Sequence, residues 1–181
     1  RSTLFPYTTL FRSSIQLTAN GSNRLYYRLE GATKKCIAAI NDDVRENEAF
    51  FHFAKEMKTR GINVPEVYAI SEDRRTYLQQ DLGNVSLYTY LDSRKSSNVD
   101  VTEPMRHYYM KAIDELIKIQ KVCRDIDFSK AYPRPRFDRQ ALQWDLNYFK
   151  YYFLRLFHIP FDEELLERDY QVFIDYLLDE S

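Results

Sequence analysis

Apolar positions change rhythm near Gly83. Before it they come in short bursts separated by polar turns; after it they recur at spacings of three and four over long stretches. Short runs rich in aliphatic and aromatic side chains predict strands at Ser14–Ala19, Leu25–Leu29, Lys35–Ile40, Glu66–Ile70 and Thr76–Gln80. Between the third and fourth, Asn41-Asp42-Asp43 offers side-chain oxygens for a helix cap. Val44, Phe50, Phe51, Ala54 and Met57 then keep a roughly helical period until Gly61 ends it. The expected order is three strands, one helix, then two strands.

All four glycines, Gly21, Gly31, Gly61 and Gly83, lie in that first stretch. Glycine marks tight turns and helix ends, so the remainder should be helical. Ser86–Leu91 suggests a short helix, and the polar run Arg94–Val101 a loop. Thr102-Glu103-Pro104 opens a long helix, with proline tolerated in its first turn. Met105, Tyr109, Ala112, Ile113, Leu116 and Ile119 are expected to line its buried face. Ala131–Arg136, carrying Pro133 and Pro135, reads as a rigid connector. Phe137–Phe157 reads as one helix with Leu142, Leu146, Phe149, Phe153 and Leu156 along a face. Ile159-Pro160 breaks it, and Asp162 caps a last helix over Leu165–Leu178.

Composition narrows the function classes. With 44% hydrophobic and 29% charged residues, the chain is that of a folded protein rather than a disordered one. A net charge of −1 gives no electrostatic attraction to nucleic acid or an anionic membrane. No apolar run approaches the roughly 20 residues that span a bilayer. Two cysteines, Cys36 and Cys123, are too few for a disulfide framework or a zinc cluster, so a reducing, cytoplasmic setting is expected. The 15 tyrosines and 12 phenylalanines, against one tryptophan, fit a ring-rich core with polar tips at the surface. Stacking on nucleic acid would require interleaved Arg and Lys on the same face, and the pattern lacks them.

Residues 1–13 follow neither rhythm. Thr-Leu-Phe occurs at Thr3–Phe5 and again at Thr9–Phe11, between flanking Arg-Ser pairs. The segment has no sustained apolar region and no small-residue cleavage site, so it is not read as a signal peptide. It resembles a translated sequencing adapter, and the fold is expected to begin at Ser14.

Several strings, in order, resemble one family. Thr18-Ala19-Asn20-Gly21-Ser22-Asn23-Arg24-Leu25-Tyr26-Tyr27-Arg28-Leu29 is similar to the phosphate-loop hairpin of the aminoglycoside phosphotransferase and choline kinase-like superfamily. Gly61-Ile62-Asn63-Val64-Pro65-Glu66-Val67 resembles its G-x-x-V-P-x-V join, and Tyr77-Leu78-Gln79-Gln80-Asp81-Leu82-Gly83 its hinge strand. Arg136-Phe137-Asp138, Asp145-Leu146, Phe149 and Tyr152-Phe153 resemble the branch of sugar 1-kinases acting on N-acetylmuramate or N-acetylglucosamine. The resemblance covers Ser14–Ser181. It implies an α+β fold: a protein-kinase-like N-lobe of five antiparallel strands and one helix over residues 14–83, then a partial, mainly helical C-lobe over 84–181.

The same resemblance implies an ATP-dependent phosphotransferase acting on a small-molecule hydroxyl, an amino sugar above all, with Mg²⁺. An aminoglycoside, choline or homoserine hydroxyl is the alternative acceptor. Gly21, Ser22 and Asn23 would bring backbone N–H groups to the phosphates, with Arg24 as a charge partner. The carbonyl near Gln80 and the N–H near Leu82 would meet the adenine edge. A helix glutamate should pair with a strand lysine, with Glu48 the first choice and Glu46 the second. Ala39, however, stands where that lysine is expected, and Lys34 and Lys35 come too early. The H-x-D-x-x-x-x-N loop and its metal-binding Asp are expected after the last helix. This stretch is therefore expected not to catalyse, and it names no catalytic base or metal ligand. Arg168-Asp169-Tyr170 echoes the loop but lies in a helical run. A non-catalytic nucleotide-binding or scaffold domain is the alternative that Ala39 favours. A helical interaction module follows only if residues 14–83 form no sheet.

Overall fold

The computed structural model describes residues 11–18, 23–93 and 102–179, which fall into two compact units, 1–130 and 131–181. In the first unit, β1 (Phe11–Gln16), β2 (Leu25–Gly31), β3 (Lys35–Ile40), β4 (Val67–Ile70) and β5 (Thr76–Gln80) form one antiparallel sheet in the order β1-β2-β3-β5-β4. Helix α1 (Val44–Thr59) connects β3 to β4. The expected order of three strands, a helix and two strands is thus the observed one, and β3 and β5 have their expected bounds. Because residues 14–83 do form a sheet, the purely helical module is removed.

Strand β1 starts three residues earlier than expected. Phe11 pairs with Gly31 across a register shift, and Ser13 pairs with Glu30. The Phe11 ring packs, partly buried, against Cys36, Ala38 and Leu78. Ladder bonds come from the backbone, so Phe11-Arg12-Ser13 can extend the strand whatever the origin of the segment. At the other end, Leu17 N–H still donates to the Tyr26 carbonyl at 2.8 Å, and Ala19 lies outside the described residues.

The sheet has two unlike faces. One carries Cys36, Ala38 and Leu78, with Tyr27, Leu29 and Ala69 beside them. The opposite parity of the same strands places Tyr26, Ala39 and Tyr77 together, since Tyr26 opposes Ala39 and Ala39 opposes Tyr77. Helix α1 packs on this second face: Phe50 and Phe51 hold their rings 5.2 and 5.1 Å from the Tyr77 ring. Asp43 caps α1, accepting from the N–H groups of Arg45 and Glu46.

Helix α2 (Leu87–Asp92) is capped by Ser86. Helix α3 (Glu103–Val122) ends in a cluster of Ile62, Cys123 and Ile126, against which Phe53, Met57, Val64 and Ile119 pack. His52 Nε2 donates to the Asp127 carbonyl at 3.0 Å, tying α1 to the same segment. The expected buried face of α3 is corrected here. Met105 is buried and Ile119 joins the cluster, but Tyr109, Ala112, Ile113 and Leu116 are exposed in this structure. Periodicity makes a face apolar; it does not supply a cover.

The second unit is built from α4 (Arg139–Phe149), a π-helical turn (Lys150–Arg155) and α5 (Glu163–Asp179). Asp138 caps α4 and Asp162 caps α5. The single helix expected over Phe137–Phe157 is thus replaced by a helix running into a wider turn. That wider turn changes the angular phase. Lys150 and Leu154 are buried, while Phe149, Phe153 and Leu156, set along one face by their spacing, are exposed. Tyr170 and Ile174 of α5 complete the buried positions, and Arg168-Asp169-Tyr170 is ordinary helix.

Candidate functional site

Of the residues picked out by sequence, Arg24 and Glu46 meet on the α1 face of the sheet, beside the start of β2. Gly21 and Ser22 lie outside the described residues; Asn23 and Arg24 are described. Arg24 stands just before β2 and has the parity of Tyr26, so it belongs to the face that α1 covers. Its guanidinium lies 3.1 Å from Glu46 Oε1 and 5.6 Å from the centre of the Phe50 ring. Glu46 sits in the first turn of α1, where a carboxylate is also favoured by the helix dipole. Its second oxygen accepts from Asn41 Nδ2 at 2.9 Å. A helix carboxylate therefore grips a strand-side cation, with its own orientation fixed by a third group.

Glu48, the first choice for that role, is elsewhere. It bonds in bidentate fashion to Arg74, at the turn between β4 and β5, with Arg74 Nη2 donating at 2.8 Å. Arg74 has a φ of 61° and also lies over the Phe51 ring. Glu48 thus fastens a turn to α1 and meets no strand lysine. Ala39 is 0% exposed between Tyr26 and Tyr77, so a lysine there would need room that α1 and these rings already fill.

Beneath this pair lies a buried amide network. Asn47 is 0% exposed; its Nδ2 donates to the carbonyls of Asn41 and Arg74, each at 2.9 Å, and its Oδ1 accepts from Asn41 Nδ2 at 3.1 Å. Asn41 Oδ1 in turn accepts from the Asp43 N–H at 3.2 Å. Every polar group of the two amides is used, which fixes the first turn of α1 against the end of β3 and the β4–β5 turn. Tyr77, enclosed beside it, has its phenol pushed up to about 12, first by burial, with the Arg24 charge opposing.

The hinge residues lie across β3 from β2. Gln80 ends β5, opposite Cys36, and its N–H donates to the Glu66 carbonyl at 2.8 Å; Leu82 follows with an exposed side chain. Between them Asp81 takes two hydrogen bonds from Arg28 of β2, Nε at 2.7 Å and Nη2 at 2.9 Å. Arg28 also donates to the Gly83 carbonyl at 3.2 Å and to Asn84 Oδ1. Asp81 Oδ1 accepts from the Gly83 N–H at 2.9 Å, and Gly83 takes a φ of +88°, a conformation that favours glycine. The Arg28 bonds and this N–H hold the Asp81 carboxyl below the usual carboxylate range. This strap was missed in sequence, although an arginine inside an otherwise apolar strand was a usable signal.

No group of three or more His, Cys, Asp or Glu among the described residues is placed to hold a metal ion. No helix among them is long and apolar enough to cross a membrane. Set beside family models, curated proteins and solved structures, the chain matches none.

Proposed function

We propose that the sheet unit is the nucleotide-binding lobe of an ATP-dependent phosphotransferase acting on a small-molecule hydroxyl, with an amino sugar as the acceptor. The observation that carries this reading is the Arg24–Glu46 pair. Phosphoryl transfer asks the protein mainly to position groups and to place positive charge against the transferring oxygens. A guanidinium has five N–H donors in a rigid fork, a geometry suited to both carboxylate and phosphate oxygens. In this reading Arg24 takes the place of the cation that Ala39 cannot supply. Asn23 stands next to it, and the Gly21-Ser22 turn would add backbone N–H donors. Gln80 and Leu82 offer the backbone edge for adenine. Mg²⁺ enters as a partner of the nucleotide phosphates.

Calorimetric titration of the intact chain with ATP and Mg²⁺ tests it. ATP is expected to bind saturably, and Arg24→Gln to weaken it about tenfold or more, as for loss of a charge-assisted hydrogen bond. Adenosine, which has no phosphate, should be insensitive to the substitution. Absence of saturable ATP binding overturns the reading. A second reading, a kinase-like nucleotide-binding or scaffold domain without catalysis, is favoured by the full enclosure of Ala39. Incubating the intact protein with ATP, Mg²⁺ and candidate amino sugars separates the two: a phosphorylated sugar supports the first, and ATP binding without turnover the second.

A further inference from the structure

A groove of about 370 Å³ opens between α1 and β4. Phe51, Ala54 and Thr59 form the helix wall, and Pro65, Val67 and Ile70 the strand wall. The gap has a local cause. The helix presents small side chains, Ala54 and Thr59, towards an edge strand whose ladder slips between Val67 and Ala69.

The charges at the groove are uneven. Lys55 and Lys58, one helical turn apart, line it from the α1 side, and both are exposed. Neither has an ion-pair partner among the described residues. Glu66 lines the strand wall opposite them. An anionic group is therefore drawn to the helix side and repelled from the strand side.

We propose that this groove binds a medium-chain fatty acid, its hydrocarbon tail between Ala54, Val67 and Ile70 and its carboxylate at Lys55 and Lys58. The size falls within the range of small-ligand sites. Between the charged side chains at its rim the exposed surface of the groove is mostly apolar, so a sugar or nucleotide would leave most of its hydroxyls without partners there, whereas an alkyl chain loses nothing on leaving water. The inference is independent of the nucleotide reading, because it uses none of the residues assigned to ATP.

The test is titration of the intact chain with decanoate, below micelle formation, followed by methyl NMR signals of Ala54, Val67 and Ile70. Decanol serves as the uncharged comparison. Saturable shifts of these methyls are expected, with decanoate binding more tightly than decanol. The double variant K55Q/K58Q, altered only at exposed positions, should weaken decanoate about fivefold and leave decanol unchanged. The proposal is overturned if decanoate leaves the three methyls unmoved, or if decanol binds as tightly as decanoate. Unchanged decanoate affinity in the double variant, or shifts caused only by an acidic amphipathic peptide, would also overturn it.

Discussion

Asn47 in the first unit and Lys150 in the second are both deeply buried polar side chains on helical segments, yet their partners are of opposite kinds. Asn47 is neutral and bonds to two carbonyls and one amide brought from the end of β3 and the β4–β5 turn. Lys150, 4% exposed, keeps its ammonium against Glu163 and Glu167, which are themselves half in water. The two carboxylates hold its pKa above the ordinary lysine range. Nearby, the Tyr170 hydroxyl is buried with no hydrogen-bond partner. The Asn47 amide is closed inside the sheet unit by partners distant in sequence; Lys150, the one buried charge among the described residues of the helical unit, is closed at the solvent boundary. Removing a partner should therefore cost most where no water can step in.

The largest expected effect follows directly. Asn47→Leu takes the donor from two carbonyls, while the Asn41 amide keeps its bond to Glu46, and at about 1–3 kcal/mol for each buried carbonyl left unpaired it is expected to cost about 2–6 kcal/mol. Urea unfolding followed by far-ultraviolet circular dichroism reads this. A cost under about 1 kcal/mol would show that water enters the network. Lys150→Met comes next, at about 2–3 kcal/mol, less than a fully enclosed pair because Glu163 and Glu167 remain partly hydrated. Trp144, the single tryptophan, lies in α4 and reports on this unit by fluorescence. Glu167→Gln placed in the Lys150→Met background should recover part of the loss by relieving the paired negative charges.

How much of this was legible follows the range of the interactions. The bounds of β3 and β5, and the Asp43 cap, are local: apolar runs between turn residues, and an oxygen within reach of the next N–H groups. The choice between Glu46 and Glu48 is not local. Two residues on a helix point about 200° apart, and only the three-dimensional position of Arg74 shows that Glu48 is taken. The inward turn of Lys150 was hidden for a related reason. A π turn shifts phase by part of a residue, and the spacings of Leu146, Phe149 and Phe153 fit an unbroken α-helix equally well. Arg28 and Asp81 were each visible, but their meeting depends on β2 and β5 flanking β3 in the sheet.

Alkaline pH sharpens the contrast from the sheet side. Tyr77 is 1% exposed between Phe50 and Phe51, and its pKa stands at about 12 against about 10 when unfolded. With the folded value raised, the stabilisation is complete below about pH 10. It is lost as pH rises through about 12, because the unfolded chain releases the proton first. Over that window about 2 kcal/mol should disappear. Tyr77→Phe should flatten this part of the profile, measured as urea stability at pH values on either side. A profile unchanged by the substitution would mean that the phenol ionises without opening the packing of α1 on the sheet.

The smallest effect is the most discriminating about locality. Asp43→Ala removes the oxygen that accepts from the Arg45 and Glu46 N–H groups, at 3.0 and 3.3 Å. The cost should be about 1 kcal/mol, as for other aspartate caps. Asp162→Ala, which frees the Leu165 N–H held at 2.8 Å, should cost about the same in the helical unit. Equality is expected even though the buried neighbours differ so much, because alanine keeps the Asp43 N–H that donates to Asn41 Oδ1 and the carbonyl that receives the Asn47 N–H. The amide network thus survives loss of the cap. If Asp43→Ala instead approached the cost of Asn47→Leu, cap and network would be one cooperative element, and Glu46 would lose its hold on Arg24 along with it.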